Sequence, residues 1–248
     1  MESKKIDPKF NKVQNPKIGL IALASDYMIE KDFTNVIKDK KIDFFVNRIE
    51  CYNPLTSENL IKMSEKVTEV TKDILPGEKI DCVVYGCTSG TIAAGYDSIK
   101  KKIKIAKPEA EVTTPSTAAI KALKKLNINK IAVFTPYPKK LNDEVLEFFK
   151  KEKFQIKSNS YFDIESDIDI GKVDPEYLYQ ILSKMDLNGA EALFVSCTAL
   201  PVLQIIDKLE KKLKKPVLSS NQALIWDTLE NIGKNNSIQG FGKLFLTN

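Results

Sequence analysis

The sequence predicts an α/β fold of two pseudo-symmetric doubly wound lobes, each with a parallel four-stranded sheet, and a site in the cleft between them. Two observations carry this. Short apolar strands alternate with helical stretches along the whole chain, which is the pattern of parallel sheets covered by helices on both faces. The same device also occurs twice, 110 residues apart: Val83-Val84-Tyr85-Gly86-Cys87-Thr88-Ser89-Gly90 and Leu193-Phe194-Val195-Ser196-Cys197-Thr198-Ala199-Leu200. Each is an apolar run that ends in a small residue, a cysteine and a threonine before a predicted helix.

Taken in order, strands are expected at 17–23, 43–48, 82–85, 111–113, 130–134, 154–160, 192–195 and 216–218. Each is a short run rich in Ile, Val, Leu or Phe bounded by polar turn residues. Helices are expected at 30–38, 57–75, 90–102, 117–126, 140–151, 175–185, 199–214 and 222–232, where apolar residues recur at helical spacing. The halves correspond. Lys17-Ile18-Gly19-Leu20-Ile21 and Lys130-Ile131-Ala132-Val133-Phe134 each open one, and Val112-Thr113-Thr114-Pro115-Ser116 answers Val217-Leu218-Ser219-Ser220-Asn221 as a strand leading into a helix cap. The expected division is an N-terminal lobe of 17–115 plus 220–248, a C-terminal lobe of 116–219, and a polar, lysine-rich N-terminal arm at 1–16.

Composition narrows the function. The 248 residues suffice for such a core, and the net charge is +5. The excess lysines alternate with Ile205, Ile206, Leu209 and Leu213 at helical spacing, so they read as a solvated helix face and no nucleic-acid partner is expected. No apolar run reaches about 18 residues and no signal-peptide pattern appears, so no membrane partner and a cytoplasmic location are expected. Cys51, Cys82, Cys87 and Cys197 form no CxxC pair, which argues against disulfides and a structural zinc site. The chain contains no histidine. That removes the commonest general base and every Ser-His or Cys-His pair. Acid–base chemistry then falls to Cys, Asp, Glu, Lys or Tyr, and a free thiol, titrating at about 8.5, lies nearest the working range.

In such sheets ligands lie beyond the carboxyl ends of the strands, where both Cys87 and Cys197 fall. A cysteine that opens a helix is expected to have a lowered pKa from the helix dipole and nearby N–H groups. Thr88, Ser89 and Thr198 offer hydroxyls to a bound carboxylate, and Gly86 and Gly90 permit close approach. A single such cysteine reads best as a small core residue. Two in matched, hydroxyl-flanked contexts read as a catalytic pair. Cys82, inside a strand, and Cys51, among loop residues, read as structural or incidental.

Five motifs in order then give a family resemblance: Ile18-Gly19-Leu20-Ile21-Ala22-Leu23-Ala24-Ser25-Asp26 with Glu30-Lys31-Asp32-Phe33; Tyr85-Gly86-Cys87-Thr88-Ser89-Gly90; Thr135-Pro136-Tyr137; Ser196-Cys197-Thr198-Ala199-Leu200; and Ser219-Ser220-Asn221-Gln222-Ala223. The chain resembles the aspartate/glutamate racemase superfamily, in the branch of maleate cis–trans isomerase and arylmalonate decarboxylase, nearest the ectoine-utilisation protein A group. The resemblance implies cofactor-independent catalysis, with substrate between two facing cysteines, and a homo-oligomer is expected. Carried over by position, Cys87 and Cys197 are the acid–base or nucleophilic pair, and Tyr137 matches a substrate-contacting tyrosine. Decarboxylases of the branch lack the first cysteine, which argues against decarboxylation.

One departure shifts the reading. Where maleate isomerases place a substrate-contacting asparagine this chain has Asp26, and a second such asparagine falls near Asp167. An ionised Asp repels a carboxylate and suits an ammonium. Asp26 also reads as a plain helix N-cap. The leading expectation is therefore a racemase or epimerase of a small amino acid or N-substituted amino acid, such as a diaminobutyrate-related compound. One thiolate would take the α-proton from one face while the other thiol delivers a proton to the opposite face. The alternative is a maleate-type cis–trans isomerase of an unsaturated dicarboxylic acid, and a silent binding protein using the cleft is a third possibility.

Overall fold

The computed structural model describes residues 3–11, 14–234 and 237–247. Eight strands form two separate four-stranded, all-parallel sheets. The first holds Lys17–Leu23 (β1), Asp43–Ile49 (β2), Cys82–Gly86 (β3) and Glu111–Thr113 (β4), in the order β2-β1-β3-β4. The second holds Lys130–Thr135 (β5), Gln155–Tyr161 (β6), Ala192–Val195 (β7) and Val217–Ser219 (β8), in the corresponding order β6-β5-β7-β8. The expected α/β class with paired parallel sheets is what the chain forms. The central strands β1, β3, β5 and β7 are buried almost end to end, because helices cover both faces.

The helices are Ile29–Ile37 (α1), Ser57–Ser64 (α2), Val67–Lys72 (α3), Thr88–Ala94 (α4), Tyr96–Ala106 (α5), Pro115–Lys125 (α6), Lys139–Lys151 (α7), Asp167–Ile170 (α8), Pro175–Leu182 (α9), Ile206–Leu213 (α10) and Ser220–Asn231 (α11). The helix expected at 175–185 ends at Leu182, and three other predicted helices differ from the observed ones for local reasons. The stretch 57–75 divides after Ser64, where Glu65 and Lys66 donate to Lys62 and Met63 in tightened turns. The stretch 90–102 divides at Gly95, whose φ of 80° belongs to the left-handed region that glycine enters without a Cβ penalty. The helix expected from Ala199 begins only at Ile206, after a short 3-10 turn at Leu203–Ile205. Pro201 has no N–H to donate and disfavours helical backbone at Leu200. The short α8 was not predicted.

Of the predicted N-terminal arm, residues 1, 2, 12 and 13 lie outside the described residues; residues 3–11 are exposed and carry no secondary structure. Asn15 already docks, its amide donating to Asp43 at 2.9 Å. Among the described residues no helix is long and apolar enough to cross a membrane.

One buried clamp sets the position of α11, which packs on α6, α1, β3 and β4. Asp227 accepts from the Thr113 hydroxyl at the end of β4 and from Lys121 of α6 at 2.8 Å. The carboxylate is 3% exposed, whereas the lysine is half exposed. Asp227→Ala is expected to cost about 2 kcal/mol, since it strands a buried hydroxyl donor. Lys121→Ala should cost less than about 1 kcal/mol, because the ammonium already reaches water. Urea unfolding of both variants checks the order, and equal losses would refute it.

Candidate active site

Every strand of the inner pairs delivers a chemical group just past its carboxyl end. Cys87 follows β3, Cys197 follows β7 by two residues, Asp26 follows β1 by three, and Tyr137 follows β5 by two. Hydrogen bonds from Thr198 to Gly86, and from Thr88 and the Cys197 N–H to Ser220, bring these edges together, and all four side chains are buried there. Tyr137 lies within electrostatic reach of both thiols, Cys197 the more strongly. Asp26 and Asp167 both act on Cys197, and Asp167 also acts on Cys87.

The two cysteines are held differently. The Cys87 thiol caps α4, accepting the Gly90 N–H at 3.2 Å, with the Ser89 hydroxyl 3.9 Å away. Cys197 opens no helix. Its φ of 103° lies in the left-handed region, a strained conformation for a residue with a Cβ, and its N–H donates to the Ser220 hydroxyl at 3.0 Å. The matched device in the sequence is thus symmetric in its strands and asymmetric beyond them.

The expected lowering of the thiol pKa is reversed. Burial pushes both Cys87 and Cys197 well above the ordinary thiol range, and the nearby carboxyls add to the effect. Desolvation outweighs the single Gly90 N–H on Cys87, so both thiols rest neutral. Burial likewise raises the carboxyls: Asp26 upward, Asp167 to about 6 despite the Ser25 hydroxyl donating to it at 2.6 Å, and Asp32 to about 7 despite an Asn221 amide donor.

Asp26 fills the cap role with one oxygen only. Its Oδ1 accepts from the N–H groups of Met28 and Ile29 at 2.7 and 2.9 Å, ahead of α1. Its Oδ2 is buried without a hydrogen-bond partner, since the nearby Thr198 hydroxyl donates to the Gly86 carbonyl at 3.2 Å. Thr88 is similarly engaged, donating to Ser220 at 2.9 Å. The protons of both threonines therefore hold the two halves together, while Ser89 lies beside Cys87. Asp167 starts α8 and is 3% exposed, with its N–H turned to the Asn53 side chain at 3.3 Å.

Several participants were missed in the sequence. Ser220 and Asn221 sit within a quoted motif, yet nothing in the pattern showed that they reach across to Thr88, Asp32 and Thr198. Cys51, read as incidental, lies beside Ser25, Asp26 and Asp167, and burial raises it to about 11. The Tyr85 hydroxyl is buried beside Cys87 with no partner. Among the described residues no group of three His, Cys, Asp or Glu side chains could hold a metal ion.

Two tests follow from this geometry. A Cβ at Gly90 would lie 2.7 Å from the Cys87 sulfur and 2.9 Å from the Tyr85 oxygen. Gly90→Ala should displace the thiol and lower kcat/KM at least about tenfold, with thermal melting showing a retained fold; full activity would refute this. The raised Asp167 pKa means that the native state holds a proton the unfolded chain has released. Stability from this group is present below about pH 4 and lost as pH rises through about 6, by up to roughly 3 kcal/mol. Asp167→Asn should flatten that part of the profile in urea titrations at pH 4 and 7; an unchanged slope would count against it.

The arrangement has relatives. The arylmalonate decarboxylase family model matches residues 93–245. Maleate isomerase from Geobacillus stearothermophilus is 24% identical over 244 residues, covering 92% of this chain and 96% of the relative. Arylmalonate decarboxylase from Bordetella bronchiseptica is 26% identical over 136 residues, covering 54% of this chain and 57% of that one. In structure, a cysteine-to-serine mutant of Nocardia farcinica maleate cis-trans isomerase, with a covalently bound succinylcysteine intermediate, superposes with a TM-score of 0.87 at 19% identity, covering 95% of this chain and 100% of that one. The family match spans more than half of the chain and the same two-sheet fold recurs over nearly all of it, so this chain belongs to the arylmalonate decarboxylase family, together with the maleate isomerases.

Proposed function

We propose that the protein is a cofactor-independent isomerase of maleate type, moving a small unsaturated carboxylic acid between its cis and trans forms with Cys87 and Cys197. The observation that carries this is that hydrogen bonds draw the loops of two buried thiols together: Ser220 accepts from Thr88, next to Cys87, and from the Cys197 N–H, and Thr198 donates to the Gly86 carbonyl. The maleate isomerases among its relatives, one holding a succinylcysteine, favour this alternative over the amino-acid racemase that the sequence put first.

In balance, the S–H of one thiol adds across the double bond and leaves again. The Cys87 sulfur bonds to one olefinic carbon, the adjoining carbon receives a proton from Cys197, and the proton released by Cys87 restores Cys197. Rotation about the new single bond precedes the same steps in reverse, which return the π bond and both thiols. Burial suits this sequence of events. Burial keeps the resting thiols neutral and would shield an adduct from water. In this reading Tyr137 steadies Cys197 while it exchanges its proton, which its influence on that thiol supports.

The test is to incubate the wild type, Cys87→Ala and Cys197→Ala with small cis-unsaturated acids, following isomerisation by proton NMR and adducts by peptide mass spectrometry. Both variants should lose more than about a thousandfold in kcat. A thioether should appear on the Cys87 peptide and never in Cys87→Ala. Turnover unaffected by either substitution would sink the two-thiol reading. Loss of an α-proton from an amino acid, with no adduct, would return the protein to the racemase reading.

A further inference from the structure

Charge is the property of this chamber that a dicarboxylic acid does not answer. Asp26 and Asp167 are each 3% exposed and enter from opposite halves, the first after β1 and the second at α8. Among the described residues neither makes an ion pair, and the Arg48 charge is the least of the influences on Asp26. The lysine buried most deeply among the described residues, Lys107, is bonded to the carbonyls of Leu75 and Glu78. Arg48 is partly exposed, and its guanidinium donates to the Leu23 and Asp26 carbonyls and to Glu30. The protein supplies only dipoles to the two acids: Met28 and Ile29 N–H groups to Asp26 Oδ1, and the Ser25 hydroxyl to Asp167.

Independent of the charge, one polar atom here has no partner. Asp26 Oδ2 is buried with nothing donating to it. An unpaired buried oxygen of this kind costs free energy that a ligand donor recovers. Space for such a ligand lies alongside: a cavity of about 800 Å³ is lined by Ser25, Asp26, Tyr27, Glu30, Lys31 and Arg48 among others. Asp26 is itself on that wall, and Asp167, the chain neighbour of the lining residue Ile168, lies within electrostatic reach of Asp26.

We propose that Asp26 and Asp167 together receive a substrate ammonium group, so that the substrate is a small unsaturated amino-carboxylate and the two acids set specificity against dicarboxylates. An ammonium brings three donors and one positive charge. It supplies the missing donor at Asp26 Oδ2 and the missing counter-charge for Asp167. A second carboxylate placed there would instead meet two acids of its own sign with no buried base to offset them. The inference rests on the two-thiol cleft being the active site, and it names the group at the end of the substrate away from the reacting carboxylate.

The test compares maleate with cis-4-aminobut-2-enoate, in which an aminomethyl group replaces one carboxylate. Turnover is read by NMR and affinity by calorimetry, for the wild type and for Asp26→Asn/Asp167→Asn. Asparagine keeps the oxygen that accepts from Met28, Ile29 and Ser25, so the fold should survive, and thermal melting checks this. The wild type is expected to prefer the amino acid by at least about tenfold, and the double variant to reverse the preference in favour of maleate by at least about a hundredfold. Preference of the wild type for maleate, an unchanged ratio in the variant, or binding of neither compound would overturn the proposal. Cys87→Ala and Cys197→Ala run in parallel separate the two failures. Thiol-dependent turnover of maleate defeats only the ammonium site, whereas turnover independent of both thiols defeats the active-site reading beneath it.

Discussion

The Ser220 hydroxyl is the point on which the rest of the site depends. It accepts from Thr88, just after the first cysteine, and from the backbone N–H of the second, Cys197. Beside it, the Asn221 amide donates to Asp32 and to the Thr198 carbonyl. The first turn of α11 thus ties both thiol loops to one rigid element, which the buried Asp227 clamp anchors in turn to α6 and β4. Two loops from separate sheets would otherwise have no reason to keep a common distance. Preorganisation of this kind lets two weak acids act on one small molecule without rearrangement of the protein.

Closing the chamber sets its electrostatics. Removing water raises the thiols and the carboxyls alike, because desolvation disfavours whichever form is charged. The thiols therefore rest protonated, while Asp167, raised only to about 6, still carries charge near neutral pH. Strain at Cys197 belongs with this picture. Its left-handed backbone is held by the Ser220 bond on one side and the Thr198 to Gly86 bond on the other.

Much of the architecture was legible in the chain. The eight strands lie within a residue or so of their expected positions, because short runs such as Lys130–Thr135 and Ala192–Val195 are bounded by polar turns and leave little choice of period. Helix lengths were less legible. Gly95 and the backbond-tightened turns after Ser64 interrupt otherwise good helical patterns, and Pro201 delays a helix whose apolar spacing begins earlier. Asp26 was readable as either a cap or a site residue, and the structure gives one oxygen to each use.

By itself the sequence determined the layered α/β class, the repeated strand-and-cysteine device and the want of histidine that leaves acid–base work to thiols and carboxyls. These are local properties, written in periodicity and residue type. Tertiary structure alone decided that Cys51, Tyr85 and Asp167 approach the thiol pair, that Thr88 and Thr198 are committed to joining the halves, and that the thiols are raised where a helix dipole suggested lowering. The reason is physical. Desolvation and hydrogen-bond satisfaction depend on every neighbour in space, and those neighbours come from segments more than a hundred residues apart, such as Ser25 and Asp167.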